Sequence, residues 1–248
     1  MGLALLDALE KVDDIVLEAQ HTSQGDLGEF LGHELDAVVD LSTGPGVDAH
    51  GPAIVKRGIP YIIGATGYSA GTVELLTGLA DAADSPVLIV PNFSLGANLM
   101  IRFAAQAARL MEAPVVTERH HMGKADAPSG TALFTANRIA ESVAQTPLSA
   151  NSDGRQEYLA HRASTSAHFS ESHPGVLGHD HHGVAIHSLR GDGYLAEQAV
   201  QLTLPGESLT IEHRSIDRRC FMSGIIYAVR NIGRVRGLVV GLDAILEL

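Results

Sequence analysis

The sequence predicts an α/β fold in which a doubly wound parallel sheet is followed by a second, α+β region. Short and nearly all-apolar segments occur at residues 15–19, 37–41, 60–63 and 87–90, and they alternate with helical segments. This pattern is typical of a parallel sheet covered by helices on both faces. Later in the chain, strands follow one another without helices between them. Right-handed crossovers make the first region Rossmann-like.

The first half of the chain follows a regular order. Residues 3–9 form an amphipathic helix because Leu3, Leu6 and Leu9 share one face. A helix is then predicted after each of the first three strands. These helices lie at residues 27–31, 47–57 and 72–83. The last of them is preceded by a glycine turn, GATGYSAG, which directly follows a predicted strand.

The second half of the chain has a different pattern. It begins with an amphipathic helix at 99–111, a strand at 115–118 and a helix at 131–144. Three strands with partial alternation then come at 184–188, 197–204 and 208–214. The polar stretch 146–182 is expected to be a long loop. A final helix at 221–232 is expected to return to the first domain.

Composition excludes several classes of function. The 248 residues carry a formal net charge of −12, which disfavours nucleic acid and anionic membranes as partners. One cysteine, Cys220, permits no internal disulfide, in keeping with a reducing cytoplasm. No apolar run is long enough to span a bilayer, and the first residues lack the basic flank of a signal peptide. A cytoplasmic protein that binds a small molecule is therefore expected.

The segment ERHHMGKADAPSGTAL, residues 118–133, concentrates groups that suit acid catalysis on an anion. His120 and His121 are expected in the turn after a strand that ends at Glu118, where α/β proteins place ligands. Ser129 is a good helix N-cap, and the amides of Gly130 and Thr131 suit an anion. With Lys124 and a proton-exchanging histidine, the set predicts a small anionic substrate such as a carboxylate, and acid catalysis. The alternative is that Ser129 only caps a helix and that the histidines are loop residues.

Two further features have competing interpretations. Asp126 either acts as a second catalytic acid or orients Lys124 and its loop. The His-rich run 161–182 contains His179-Asp180-His181-His182, which resembles a set of metal ligands. Because the spacing matches no defined metal site, a solvated loop without metal is the favoured interpretation.

The pattern E-x-H-H-x-x-K-x-D-A-P-S-G-T-A resembles the signature of the 4-hydroxy-tetrahydrodipicolinate reductase (dihydrodipicolinate reductase) family. Further similar segments are GATG at 64–67, PNFSLGANL at 91–99, SLRGDG at 188–193 and the stretch 207–232. The resemblance covers nearly the whole chain apart from the polar stretch. It implies a dinucleotide-binding domain at 1–95 and 218–248, and a substrate-binding and tetramerisation domain at 96–217. It also implies hydride transfer from NADPH or NADH to a cyclic dicarboxylate, with loss of water, in lysine and diaminopimelate biosynthesis.

The resemblance also implies roles for individual residues. His120 and Lys124 would handle protons, and His121, Gly130 and Thr131 would bind the substrate. The cofactor groove would be lined by Gly64, Ala65, Thr66, Pro91, Asn92, Phe93 and Ser94. A homotetramer is the expected assembly.

The sequence departs from the family pattern at its beginning. The family opens with a strand and a G-x-x-G-x-M-G loop, of which only Met1-Gly2 is present here. The first strand of the Rossmann-like sheet is therefore missing, and the natural start is expected to lie upstream. After residues 15–19, Gln20-His21-Thr22-Ser23 specifies neither NADH nor NADPH. The alternative function is a non-catalytic dicarboxylate-binding or assembly subunit, because the pyrophosphate loop is absent.

Overall fold

The computed structural model describes residues 1–145 and 177–247. Contacts divide the chain into two compact units. The first comprises Met1–Leu95 together with Arg218–Leu248, and the second comprises Gly96–Asp217.

The first unit is built on a parallel four-stranded sheet. Its strands are β1 (Val38–Asp40), β2 (Tyr61–Ile63), β3 (Val87–Ile89) and β9 (Leu238–Val240), in that spatial order. Its helices are α1 (Gly2–Leu9), α2 (Leu27–Phe30), α3 (Gly44–Lys56), α4 (Thr72–Ala83) and α7 (Cys220–Asn231). The predicted fold class is confirmed.

Successive strand residues enter two separate cores, one on each face of this sheet. Tyr61 and Ile63 belong to one cluster of buried side chains, whereas Ile62 between them belongs to another. Side chains alternate across a strand, so a strand that is apolar at every position buries both faces. This explains why the strands show no polar alternation in the sequence.

One prediction in the first unit is wrong, and one strand was not predicted. Residues 15–19 form no strand, and Val16 is 83% exposed. Strand structure requires a neighbouring strand for hydrogen bonding, and β1 forms the edge of the described sheet. Instead, the fourth strand is β9, which the sequence analysis missed. Its three apolar residues, bounded by Gly237 and Gly241, are too few to show a period.

The second unit is a mixed five-stranded sheet with a helix on one face. Its spatial order is β5 (His179–His181), β6 (Val184–Arg190), β4 (Glu112–His120), β7 (Ala196–Leu204) and β8 (Glu207–Ser215). Strands β4 and β6 are parallel, and the other neighbours are antiparallel. Helix α6 (Gly130–Ala144) and helix α5 (Leu95–Ala107) contribute to its core, with Ile101, Val116, Ile139 and Val200 among the buried side chains.

Several predicted bounds in the second unit need correction. Helix α5 begins and ends four residues before the predicted 99–111. Strand β4 continues two residues beyond Glu118, so His120 is its last residue rather than part of the following turn.

The predicted loop 146–182, which includes the His-rich run 161–182, lies outside the described residues up to residue 176. Within the described part, residues 179–181 form β5, so the loop prediction is wrong there. His182 and Gly183 both have positive φ, 54° and 83°. A two-residue hairpin turn of this kind suits the twist of the flanking strands and pairs β5 with β6.

Candidate active site

The carboxylate of Glu118 lies at the centre of a hydrogen-bonded cluster in the second unit. Glu118 and His120 share one face of β4 because they are two residues apart on a strand. The Glu118 side chain is completely buried, which is rare for a glutamate without ionic partners. The Nδ1 atom of His120 lies 2.5 Å from its Oε2 atom.

Arg190 is the second partner of this carboxylate. The parallel register of β4 and β6 pairs His120 with Arg190, which places the guanidinium beside Glu118. Two guanidinium nitrogens donate to the two carboxylate oxygens at 3.0 Å each. The planar guanidinium thus matches the carboxylate in the bidentate geometry that makes such pairs strong.

The ionisation of Glu118 follows from these contacts. Burial alone would raise the pKa of its carboxyl, but hydrogen bonds from His120, Arg190 and Ser188 favour the charged form more strongly. The pKa of Glu118 is therefore lowered to about 2. Near neutral pH the group is a carboxylate that accepts hydrogen bonds and donates none.

Lys124 lies in the loop that follows β4. Its ammonium contacts both oxygens of Asp126, at 2.7 and 2.9 Å. The hydrogen bond from Lys124 lowers the pKa of the Asp126 carboxyl. Arg190 also donates to the backbone carbonyls of Lys124 and Asp126, at 3.3 and 2.5 Å. One guanidinium therefore bonds both the loop of Lys124 and the carboxylate beside His120.

The start of α6 joins the same cluster. Ser129 caps the helix because its hydroxyl accepts from the amide of Ala132 at 3.2 Å. The amide of Ser129 itself donates to Glu118 at 3.3 Å. Gly130 is exposed, and a Cβ atom built on it would meet nothing within 4 Å. The space beside Gly130 at the start of α6 is therefore open, and Thr131 is half-buried next to it.

Most of the predicted substrate and proton-transfer residues thus belong to one bonded set. His120, Lys124 and the start of α6 are connected through Glu118 and Arg190. His121 is exposed, and its imidazole lies beside Gly123 instead. Glu118 and Arg190 were not among the site residues predicted from the sequence. Two signals were available: Glu118 has the same strand parity as His120, and Arg190 lies in the SLRGDG motif.

The predicted cofactor segments of the first unit contact each other where β2 and β3 end. A Cβ atom built on Gly64 would lie 2.4 Å from the ring of Phe93, so only glycine permits this contact. Ala65, Phe93 and Ser94 are buried, whereas Thr66 is exposed. The amide of Ser94 donates to the Asn92 side chain at 2.8 Å. These buried residues would therefore contact a cofactor through their backbone atoms.

The loop after β1 belongs to the same glycine-rich edge. Gly44 packs so closely on the backbone of Gly67 that an added Cβ would lie 2.1 Å from its carbonyl. Asp40 at the end of β1 accepts hydrogen bonds from Tyr61 and Ser42, which fixes this loop. Helix α1 begins at Gly2 with no side-chain cap. Closely packed glycine loops at the carboxyl ends of parallel strands fit a dinucleotide.

Two other kinds of feature are absent from the described residues. Among residues 1–145 and 177–247, no group of three or more His, Cys, Asp and Glu side chains is arranged to hold a metal ion. His181 instead pairs with the side chain of Asn137 at 2.8 Å. Over the same residues, no helix is long and apolar enough to cross a membrane.

Models of one protein family match almost the whole chain. The family model described as dihydrodipicolinate reductase, N-terminus, matches residues 1–93, and that described as dihydrodipicolinate reductase, C-terminus, matches residues 96–246. The chain is 39% identical to the 4-hydroxy-tetrahydrodipicolinate reductase of Nocardia farcinica, over 100% of this chain and 95% of that protein. Identity to the Cutibacterium acnes protein of the same name is 36%, with the same coverage.

A solved structure is also similar. The dipicolinate-bound dihydrodipicolinate reductase from Paenisporosarcina sp. TG-14 superposes with a TM-score of 0.74 at 27% identity, covering 99% of this chain and 95% of that one. Fold and relatives together define an NAD(P)H-dependent oxidoreductase with a Rossmann-like nucleotide-binding part. The chain belongs to the dihydrodipicolinate reductase family.

Proposed function

We propose that this chain reduces 4-hydroxy-tetrahydrodipicolinate to tetrahydrodipicolinate in lysine and diaminopimelate biosynthesis. NADPH or NADH supplies the hydride, one proton is taken up and one water is released. The observation that carries the proposal is the bonded cluster of His120, Glu118, Arg190 and the Lys124 loop at the start of α6. This cluster joins a proton-exchanging imidazole to an anion-binding helix start.

The substrate carboxylates bind at the start of α6. The amides of Gly130 and Thr131 meet one carboxylate in the open space over Gly130. Lys124 adds positive charge, and His121 adds an imidazole, in a molecule whose formal net charge is −12. Because the molecule as a whole repels anions, this local concentration of donors accounts for selective capture of a dianion.

Proton transfer uses His120 and Lys124. The Nδ1 atom of His120 faces the carboxylate of Glu118, so Nε2 is the nitrogen that faces away from it. His120 exchanges the proton at Nε2, and Lys124 donates from Nζ. Charge that develops on the substrate is stabilised by the same ammonium and helix amides.

The nucleotide is held by the first unit. Gly64, Ala65, Thr66 and the segment Pro91, Asn92, Phe93 and Ser94 line its groove, mainly through backbone. When bound, the nicotinamide supplies the hydride.

The assembly proposed is a cytoplasmic homotetramer formed through the open face of the second unit's sheet. Helix α6 covers the other face, whereas the open face carries many side chains that are small, polar or charged. They include Thr117, Arg119, Glu197, Ala199, Gln201, Glu212 and Arg214. Arg119 already contacts Glu197 and Glu212 across the strands, at 3.6 and 3.1 Å. Light scattering should give four times the chain mass, and Ala199→Arg should give a lower mass. A monomeric wild type would refute this assembly.

The activity is tested by following nucleotide oxidation with freshly prepared 4-hydroxy-tetrahydrodipicolinate. Substrate-dependent oxidation of NADPH or NADH supports the proposal, and the ratio of the two rates gives the preference. Dipicolinate binding is measured by calorimetry in parallel. A chain that binds dipicolinate but oxidises neither nucleotide would instead be a non-catalytic dicarboxylate-binding subunit.

A further inference from the structure

We propose that Glu118 is a positioning residue that holds His120 with its proton on Nδ1, and that Arg190 fixes Glu118 for this task. The inference rests on the proposed role of His120 in proton transfer and adds two residues to it. Neither Glu118 nor Arg190 needs to touch the substrate or the nicotinamide. Their effect is exerted through the imidazole.

The tautomer follows from the hydrogen-bond inventory. The carboxylate of Glu118 receives two bonds from Arg190 and one from the amide of Ser129, which are groups that can only donate, and a further bond from the hydroxyl of Ser188. Fully buried and paired in this way, the group is ionised and has no proton to give. The His120 nitrogen at 2.5 Å must then be the donor. In the neutral ring this leaves the lone pair on Nε2, the nitrogen available to the substrate.

Arg190 makes the arrangement rigid. Its guanidinium bonds both oxygens of Glu118, the carbonyl of Lys124 and the carbonyl of Asp126. It therefore connects the orientation of His120 to the backbone that carries Lys124. Buried ion pairs contribute little net stability compared with apolar side chains of similar volume. Fold stability alone thus gives no reason for an ion pair at this position, whereas fixing two proton-transfer groups does.

Glu118→Gln should disturb the tautomer specifically. The amide offers one acceptor and one donor group, whereas both Arg190 and His120 present donors. Each oxygen of Glu118 accepts from one nitrogen of Arg190, and Oε2 also lies against Nδ1 of His120. If the NH2 group takes the place of Oε2, it faces Nδ1 and forces the proton of His120 onto Nε2. Exchanging a carboxylate that orients a catalytic imidazole for an amide lowers kcat by up to about 10⁴-fold. We expect a fall of at least about 100-fold, with KM changed by less than about threefold.

The decisive measurement is nitrogen-15 NMR of the wild-type apoprotein labelled at histidine. His120 is assigned by comparison with His120→Gln, and spectra are taken at a pH where its ring is neutral. A proton on Nδ1 supports the proposal, and a proton on Nε2 overturns it. This measurement requires neither activity nor a Glu118 variant, so misfolding of Glu118→Gln does not affect it.

Kinetics of Glu118→Gln give a second readout, with Glu141→Gln as the matched control. Glu141 pairs with Arg138 at 3.1 Å on α6 and is 56% exposed, so the same chemical change there should leave kcat unaltered. Wild-type kcat in a folded Glu118→Gln would overturn the positioning role. Wild-type kcat in His120→Gln would instead refute the proposed function of His120, and the two failures are therefore distinguishable.

Discussion

Arg190 and Glu118 lie on neighbouring parallel strands and bond through two contacts of 3.0 Å, although 72 residues separate them in the chain. The pair brings the end of β4, the Lys124 loop and the start of α6 into one hydrogen-bonded unit. The geometry of the candidate site therefore depends on a contact that forms only when β4 and β6 pair.

The first prediction concerns acid stability. The pKa of Glu118 is lowered in the folded protein, so its contribution to stability is complete above about pH 4.5 and is lost as pH falls towards 2. The contribution is roughly 3 kcal/mol at most. Urea unfolding of wild type and Glu118→Gln should therefore give stability curves that converge below pH 4.5. Because the other carboxylates titrate in both proteins, the difference between the two free energies of unfolding reports on Glu118 alone. Parallel curves would contradict this prediction.

The second prediction distinguishes the contributions of Lys124 and Asp126 to kcat. Lys124→Ala should lower kcat by about 100-fold or more, the usual contribution of an acid catalyst. Asp126→Asn should lower it less than about tenfold, because Asp126 is 57% exposed and such ion pairs contribute about 1 kcal/mol or less. Steady-state kinetics of the two variants gives both values of kcat. Equal losses in both variants would make Asp126 a proton-transfer group itself.

The third prediction concerns the open space over Gly130. Gly130→Ala should fold normally, since its Cβ meets nothing within 4 Å, but the methyl group should obstruct a carboxylate at the α6 amides. Calorimetry should show dipicolinate binding weakened by about tenfold or more, some 1.4 kcal/mol. Gly78→Ala in α4 is the control, because that position is also open and exposed. Unchanged dipicolinate binding by Gly130→Ala would show that the carboxylate binds elsewhere in the protein.

The fourth prediction concerns the nucleotide. Gly44→Ala should force the loops after β1 and β2 apart, because the new Cβ would lie 2.1 Å from the backbone of Gly67. Binding of NADPH or NADH, followed by nucleotide fluorescence, should weaken in parallel with a fall in melting temperature. Gly71→Ala, where the Cβ meets nothing within 4 Å, should change neither. Wild-type affinity of Gly44→Ala for the nucleotide would show that this loop does not contribute to the cofactor groove.

The sequence predicted those elements whose signals are local. Helix α4 was predicted with both ends correct, since Thr72 follows a glycine turn and the apolar period continues to Ala83. The strand predicted at residues 15–19 does not form, and β9 was not predicted. Both errors arise because a strand exists only if a neighbouring strand pairs with it. The pairing of Glu118 with Arg190 could not be derived, since it depends on the register of β4 against β6. The family signature indicated His120 and Lys124 but not the groups that hold them.

The most direct test of the account is the kcat of His120→Gln in the reduction of 4-hydroxy-tetrahydrodipicolinate. We expect the wild type to oxidise NADPH or NADH only when this substrate is present. In the variant, kcat should fall by about 100-fold or more while dipicolinate still binds. A variant that turns over at nearly the wild-type rate would contradict proton transfer by His120.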